Sequence, residues 1–201
     1  MDGLSAVPCR SVTPPRPRPP LPDPSAPREL VAEIERLSLR RLAVQDAPFM
    51  LEVLTDPAFM RFVGDRGVRT VADAQLYLID GALKSYEVNG FGLYAVERRA
   101  DGAFTGICGL VRRPGLEDVD LGFAFLPAFR GLGYATEAGG ATLAHAWRDR
   151  GLSRVVAITD PANAGSIHVL EKLGFAFERR VSLTPSAETL NLYAIARPAR
   201  D

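Results

Sequence analysis

Neither sign of charge is in excess: Lys plus Arg and Asp plus Glu stand at 24 each among 201 residues. Bulk attraction to nucleic acid or to an acidic membrane surface is therefore not expected. No apolar run approaches the roughly 20 residues of a membrane-spanning helix. The N-terminal segment lacks the apolar stretch of a secretory signal. Histidine and cysteine are scarce, with two of each. Cys9 and Cys108 fall in a tail and in a strand pattern, a poor disulfide pair that fits a reducing cytosol. Together with His145 and His168 they offer no metal-ligand spacing, so no metal is expected. No Gly-Lys-Ser/Thr triplet occurs, which argues against a P-loop. A dinucleotide pattern Gly-x-Gly-x-x-Gly/Ala forced onto Gly131, Gly133 and Thr136 fails at its third position.

What is present begins with enough apolar residues, 47%, for one good-sized core. Residues 1–28 are proline-rich, densest at Pro14-Pro15-Arg16-Pro17-Arg18-Pro19-Pro20, and read as a disordered or extended tail. Residues 29–201 read as a single domain. Leu37 to Val44 has the alternation of an opening strand. Phe49, Met50, Val53 and Leu54 then recur at helical spacing until Asp56-Pro57. Thr70 is placed to cap a second helix, with Leu76, Ile79, Leu83 and Tyr86 along one face. Phe91–Glu97 and Phe104–Val111 read as a hairpin about Asp101-Gly102. Cys108 within it reads as a buried structural thiol. Arg154–Thr159 is a nearly all-apolar strand, and strands over Phe175–Leu183 and Thr189–Ala196 close the chain.

The stretch that organises the rest runs from Asp120 to Ala138. An aromatic-rich strand pattern ends at Pro127, two glycines flank Leu132, and an alanine-rich helix pattern follows as far as Gly151. Helix starts carry unpaired N–H groups and a partial positive charge, and glycine lets a phosphate approach that backbone closely. The physical reading is a site for a phosphorylated ligand. An ordinary strand-to-helix turn and a nucleotide site are the alternatives that this pattern alone leaves standing.

Arg130-Gly131-Leu132-Gly133-Tyr134-Ala135 resembles the Arg/Gln-x-x-Gly-x-Gly/Ala signature of the GNAT N-acetyltransferases. The string from Asp120-Leu121-Gly122-Phe123 to Ala138 is most similar to the branch containing RimJ and RimL. Asn163-x-x-Ser166 followed by Glu171-Lys172-Leu173-Gly174-Phe175 is a second resemblance, in the right order. Together they cover about residues 36–197. The resemblance implies an α/β GNAT acyl-CoA N-acyltransferase fold, a mixed twisted sheet of about seven strands flanked by about four helices. It implies acetyl transfer from acetyl-CoA to a primary amine, a protein N-terminus or a small molecule, by direct attack without a covalent enzyme intermediate. A non-catalytic acyl-CoA-binding module is the alternative.

The same resemblance implies the site. Phe125, Leu126, Arg130, Gly131, Leu132, Gly133, Tyr134, Ala135, Thr136, Asn163 and Ser166 would hold the acyl-CoA, with a backbone N–H near Phe125 or Leu126 polarising the thioester. Asp120 would be the base, where the family often has Glu. Many relatives place an acidic Tyr in the helix after the Asn; that position is Leu170 here, and Ser166 is the substitute. Glu117 and Asp118 could attract a cationic acceptor. The Tyr134 ring is expected to point outward. Expected partners are an acyl-CoA and an amine acceptor, with a homodimer carried as an option, and the expected location is cytoplasmic.

Overall fold

The computed structural model describes residues 29–184 and 188–199. The tail expected over residues 1–28, with Cys9, lies outside them. Eight strands are present among the described residues: β1 (Leu30–Glu33), β2 (Leu37–Arg41), β3 (Leu93–Arg98), β4 (Phe104–Val111), β5 (Asp120–Phe125), β6 (Arg154–Thr159), β7 (Ala176–Val181) and β8 (Leu190–Ala196). They form one mixed sheet in the order β1-β2-β3-β4-β5-β6-β8-β7. Every neighbouring pair is antiparallel except β5 and β6, which run parallel.

Side chains alternate across a strand, so the central strands feed two cores. Leu39, Tyr94, Val96, Cys108, Leu110, Leu121 and Phe125 pack with α5 (Tyr134–Arg148) and α6 (Ala164–Lys172) on one face. Ala95, Ile107 and Ala124 pack with α1 (Ala47–Thr55), α2 (Pro57–Phe62) and α3 (Val71–Leu78) on the other. None of the described helices is long and apolar enough to cross a membrane.

Three local features depart from the expected pattern. Strand β1 is additional, paired to β2 alone at the sheet edge. Asp56-Pro57 ends α1 but also begins α2: the Asp56 carboxylate accepts the N–H groups of Ala58 and Phe59, each at 3.1 Å, and Pro57 takes the first turn, where no N–H is needed. The helix expected after Thr70 is α3, and it starts with a capping box from Thr70 to Asp73. It then passes through a π turn at Ile79–Leu83 before α4 (Lys84–Asn89). The inward line runs through Ala74 and Leu78 and, beyond the π turn, Tyr86, with Leu76, Ile79 and Leu83 half-buried.

Candidate active site

Strand β5 is bonded quite differently along its two edges. Towards β4 the pairing is continuous, from Gly106 opposite Phe125 to Val111 opposite Asp120. Towards β6 there is one bridge, Asp120 opposite Val156, with Val156 N–H donating to Val119 O at 2.9 Å. Beyond it the strands part. Leu126 N–H donates to Thr105 O at 3.0 Å, so the even-numbered β5 residues face β4. Backbone direction alternates, and Phe123 and Phe125 therefore aim their N–H groups into the fork. Leu126, the other expected donor, is committed to β4.

The fork leads to the glycine turn. A short 3-10 turn over Pro127–Phe129 turns the chain, and Gly131 and Gly133 take φ of +75° and +83°, the left-handed region that favours glycine. The first bond of α5 is Glu137 N–H to Gly133 O at 3.1 Å. No N–H from Gly131 to Thr136 has a partner among the described residues. A row of backbone donors and a helix dipole thus meet at one point, which suits an anion.

The Arg130 side chain folds back instead of reaching outward. Its Nε donates to Phe125 O at 2.8 Å and its Nη2 pairs with Asp56 at 2.5 Å. It ties the turn to the start of α2 and leaves anion contact to the backbone. Leu132 is exposed, and Ala135 and Thr136 are half-buried on the first turn of α5. Tyr134 corrects an expectation: its ring turns inward and is 7% exposed. Arg36, on the β1–β2 turn, lies over it with Cζ 4.8 Å from the ring centroid. Arg98 lies near its hydroxyl. Arg36 also grips Glu137 through its backbone N–H at 3.0 Å and its Nε at 2.7 Å, and it reaches Leu132 O at 3.0 Å. Arg36 was not legible as a site residue, because nothing near it in sequence announces the helix that it holds.

Across the fork, Asn163 caps α6, its Oδ1 accepting Ser166 N–H at 3.1 Å. Ser166 is half-buried in the first turn, and its hydroxyl bonds to no described residue. Leu170 is buried in the main core, so this helix presents no phenol from that position.

Asp120 stands at the head of the fork and is 1% exposed. Its Oδ2 accepts Nε and Nη2 of Arg113 at 2.9 and 2.7 Å, and its Oδ1 accepts Ile158 N–H at 3.1 Å. Burial pushes the carboxyl above its ordinary value, against the opposing pull of Arg113 and the Ile158 N–H. Arg113, from the β4–β5 loop, is a second residue that sequence reading missed. Glu117 and Asp118 sit in that loop, where Asp118 is tied to Arg154 at 2.8 Å.

The Cys108 thiol and the His145 imidazole have structural partners. The Cys108 thiol lies against Thr142 Oγ1 at 3.4 Å, and burial pushes it up to about 12. His145 is buried: its Nε2 accepts from Arg150 Nε at 3.2 Å, which leaves Nδ1–H to donate to Asp149 at 2.7 Å. His168 is exposed on α6. No cluster of metal-ligating side chains exists among the described residues.

Comparison with known proteins agrees with this geometry. A family model described as an acetyltransferase (GNAT) domain matches residues 36–176. An acetyltransferase from Agrobacterium tumefaciens str. C58 superposes with a TM-score of 0.69 at 25% identity, covering 90% of this chain and all of that one. RimL, a ribosomal L7/L12 alpha-N-protein acetyltransferase, superposes at 0.72 with 17% identity over 88% of this chain and 99% of its own, a likeness of fold; it has also been solved with coenzyme A. In Bacillus subtilis, the uncharacterized N-acetyltransferase YnaD is 26% identical over 144 residues, 72% of this chain and 81% of that protein. The uncharacterized B. subtilis protein YkkB is 33% identical over 95 residues, which span 46% of this chain and about half, 55%, of that protein. With the family model covering most of the chain and both signature segments at the fork, this protein belongs to the GNAT acetyltransferase family.

Proposed function

We propose that the protein transfers an acetyl group from acetyl-CoA to a primary amine by direct attack within a ternary complex. The observation that carries the reading is a pair of donor rows in sequence: the open β5 edge and, after the Pro127–Phe129 turn, the unpaired N–H groups of Gly131 to Thr136. The pyrophosphate of the coenzyme suits the second row, and the amides of its pantetheine arm suit the first, as an added strand would.

Each residue then has a distinct task. Phe125 N–H, aimed into the fork, donates to the thioester oxygen and to the oxyanion that forms as the amine attacks. Gly131 and Gly133 keep the turn free of side chains, while Arg130 and Asp56 hold its shape from behind. Asn163 fixes the first turn of α6, so that the Ser166 hydroxyl is available to hydrogen-bond the departing sulfur. Transfer forms the C–N bond and breaks the C–S bond. The ammonium gives one proton to water before attack, and the proton that the amine nitrogen sheds on collapse goes to the departing sulfur, so that coenzyme A leaves as its thiol. Asp120, the base implied by the resemblance, is enclosed by Arg113 and the Ile158 N–H; a proton reaches it only if that pair opens. A buried free thiol is consistent with the proposed cytoplasmic location.

The test is thiol release by the full chain with acetyl-CoA and an amine panel: a peptide with a free N-terminus, a polyamine, a free amino acid and an aminoglycoside. Acetylation of one class supports the reading and names the acceptor. Tight acetyl-CoA binding without thiol release on any amine would replace the enzyme by an acyl-CoA-binding module.

A further inference from the structure

The fork needs a cause, because two parallel strands that begin in register ordinarily continue to pair. Val156 N–H takes Val119 O, and on that side of β6 the next donor is Ile158 N–H. In an uninterrupted ladder Ile158 N–H takes Leu121 O. Here it takes the Asp120 carboxylate, 3.1 Å away, and no second bridge forms.

We propose that Asp120 is a positioning residue that opens the fork: its carboxylate stands in for the Leu121 carbonyl, ends the β5–β6 ladder after one bridge, and thereby leaves the Phe123 and Phe125 N–H groups for the acyl-CoA. Arg113 is the clamp. It holds Oδ2 through two donors, so that Oδ1 stays on Ile158 N–H. Three donors on one carboxylate, enclosed within the sheet, describe a fixed strut and not a group that meets solvent or an incoming ammonium. The charge also fits this role. A neutral acceptor alone would hold Ile158 N–H, whereas the ionised carboxylate in addition recruits Arg113 across the loop that follows β4. This inference rests on the proposed acyl-CoA site, and it assigns Asp120 a task other than proton transfer.

The full chain and its Asp120→Asn and Asp120→Ala variants separate the two roles. Asn keeps an oxygen for Ile158 N–H but is no base at neutral pH; Ala keeps neither. If Asp120 opens the fork, Asn binds acetyl-CoA at least about tenfold more tightly than Ala. Asn then also retains kcat within about tenfold of the parent, with the acid limb of the pH–rate profile in place. If Asp120 is the base, both variants bind acetyl-CoA like the parent. Both then lose kcat by about a hundredfold or more and lose the acid limb, and that result overturns the proposal. Should Ala fail to fold, the kcat and pH profile of Asn decide alone. Should the parent not bind acetyl-CoA, the function proposed above fails, and hydrogen exchange at the Phe123 amide decides the present point. Greater protection in Ala than in Asn and the parent, as the ladder closes, supports the strut; equal protection in all three refutes it.

Discussion

The two edges of β5 carry the same residues and behave in opposite ways. Against β4 the strand is laddered along its whole length, and a Cβ added at Gly106 would meet Ala124 O at 2.4 Å, so the backbones are in direct contact. Against β6 it makes one bridge and then leaves its donors free. On the proposed reading, the closed edge supplies rigidity and the open edge supplies function, and the first allows the second. A strand held on one side can expose polar backbone on the other without fraying, because the unpaired groups are already ordered and await a partner.

The contrast can be broken most severely at the closed edge. Gly106→Val has no room to relax against backbone and should cost about 3 kcal/mol or more of stability. Denaturant unfolding would read this as a lower midpoint, or the variant would not accumulate as folded protein. A small effect would mean that the β4–β5 contact is looser than described.

At the open edge the loss should fall on binding instead. Gly133→Val places a branched side chain at φ +83° and 3.3 Å from Arg36 Nη2. Acetyl-CoA affinity should fall about tenfold or more, while the unfolding free energy falls by no more than about 2 kcal/mol. Unaltered binding would remove the phosphate cradle from the account. Ser166→Ala is milder: kcat should fall about fivefold, with KM for acetyl-CoA within about twofold. A change confined to KM would make Ser166 a coenzyme contact only.

Two smaller effects sharpen the comparison. The Asp120 carboxyl lies above its ordinary value in the folded chain, so its contribution to stability is present at low pH. That contribution is lost as pH rises from about 4 through the raised value. Between pH 4 and pH 7 the melting temperature of Asp120→Asn should therefore move upward relative to the parent. A gap that moves the other way would mean that Arg113 outweighs burial. On the closed edge Cys108, pushed up to about 12, should resist alkylation in the folded Cys9→Ser chain at pH 8.5 and react once the chain is unfolded.

Much of this was legible in the sequence, and the parts that were not share a cause. Arg154–Thr159 reads as a strand to the residue, because an apolar run between turn residues has few other uses. The glycine turn and its helix read correctly because their signals are local. The π turn was invisible because Leu76, Ile79, Leu83 and Tyr86 satisfy the ordinary helical period on paper. Strand β1 escaped because its four residues pair only with β2 at an edge. The inward turn of Tyr134 depends on Arg36 and Arg98, and the strut on Arg113. Those contacts exist only after the chain has folded, and no local pattern encodes them. The resemblance gave Asp120 a place in the site, but what the carboxylate touches had to come from the structure.

The measurement that bears most directly on the account is calorimetric titration of the full chain with acetyl-CoA, with free coenzyme A, ATP and NAD as comparators. The account predicts micromolar binding of both coenzyme A forms and none of ATP or NAD at the same concentration. Equal binding of ATP, or no binding of acetyl-CoA, would contradict it, and the open edge of β5 would be left without its ligand.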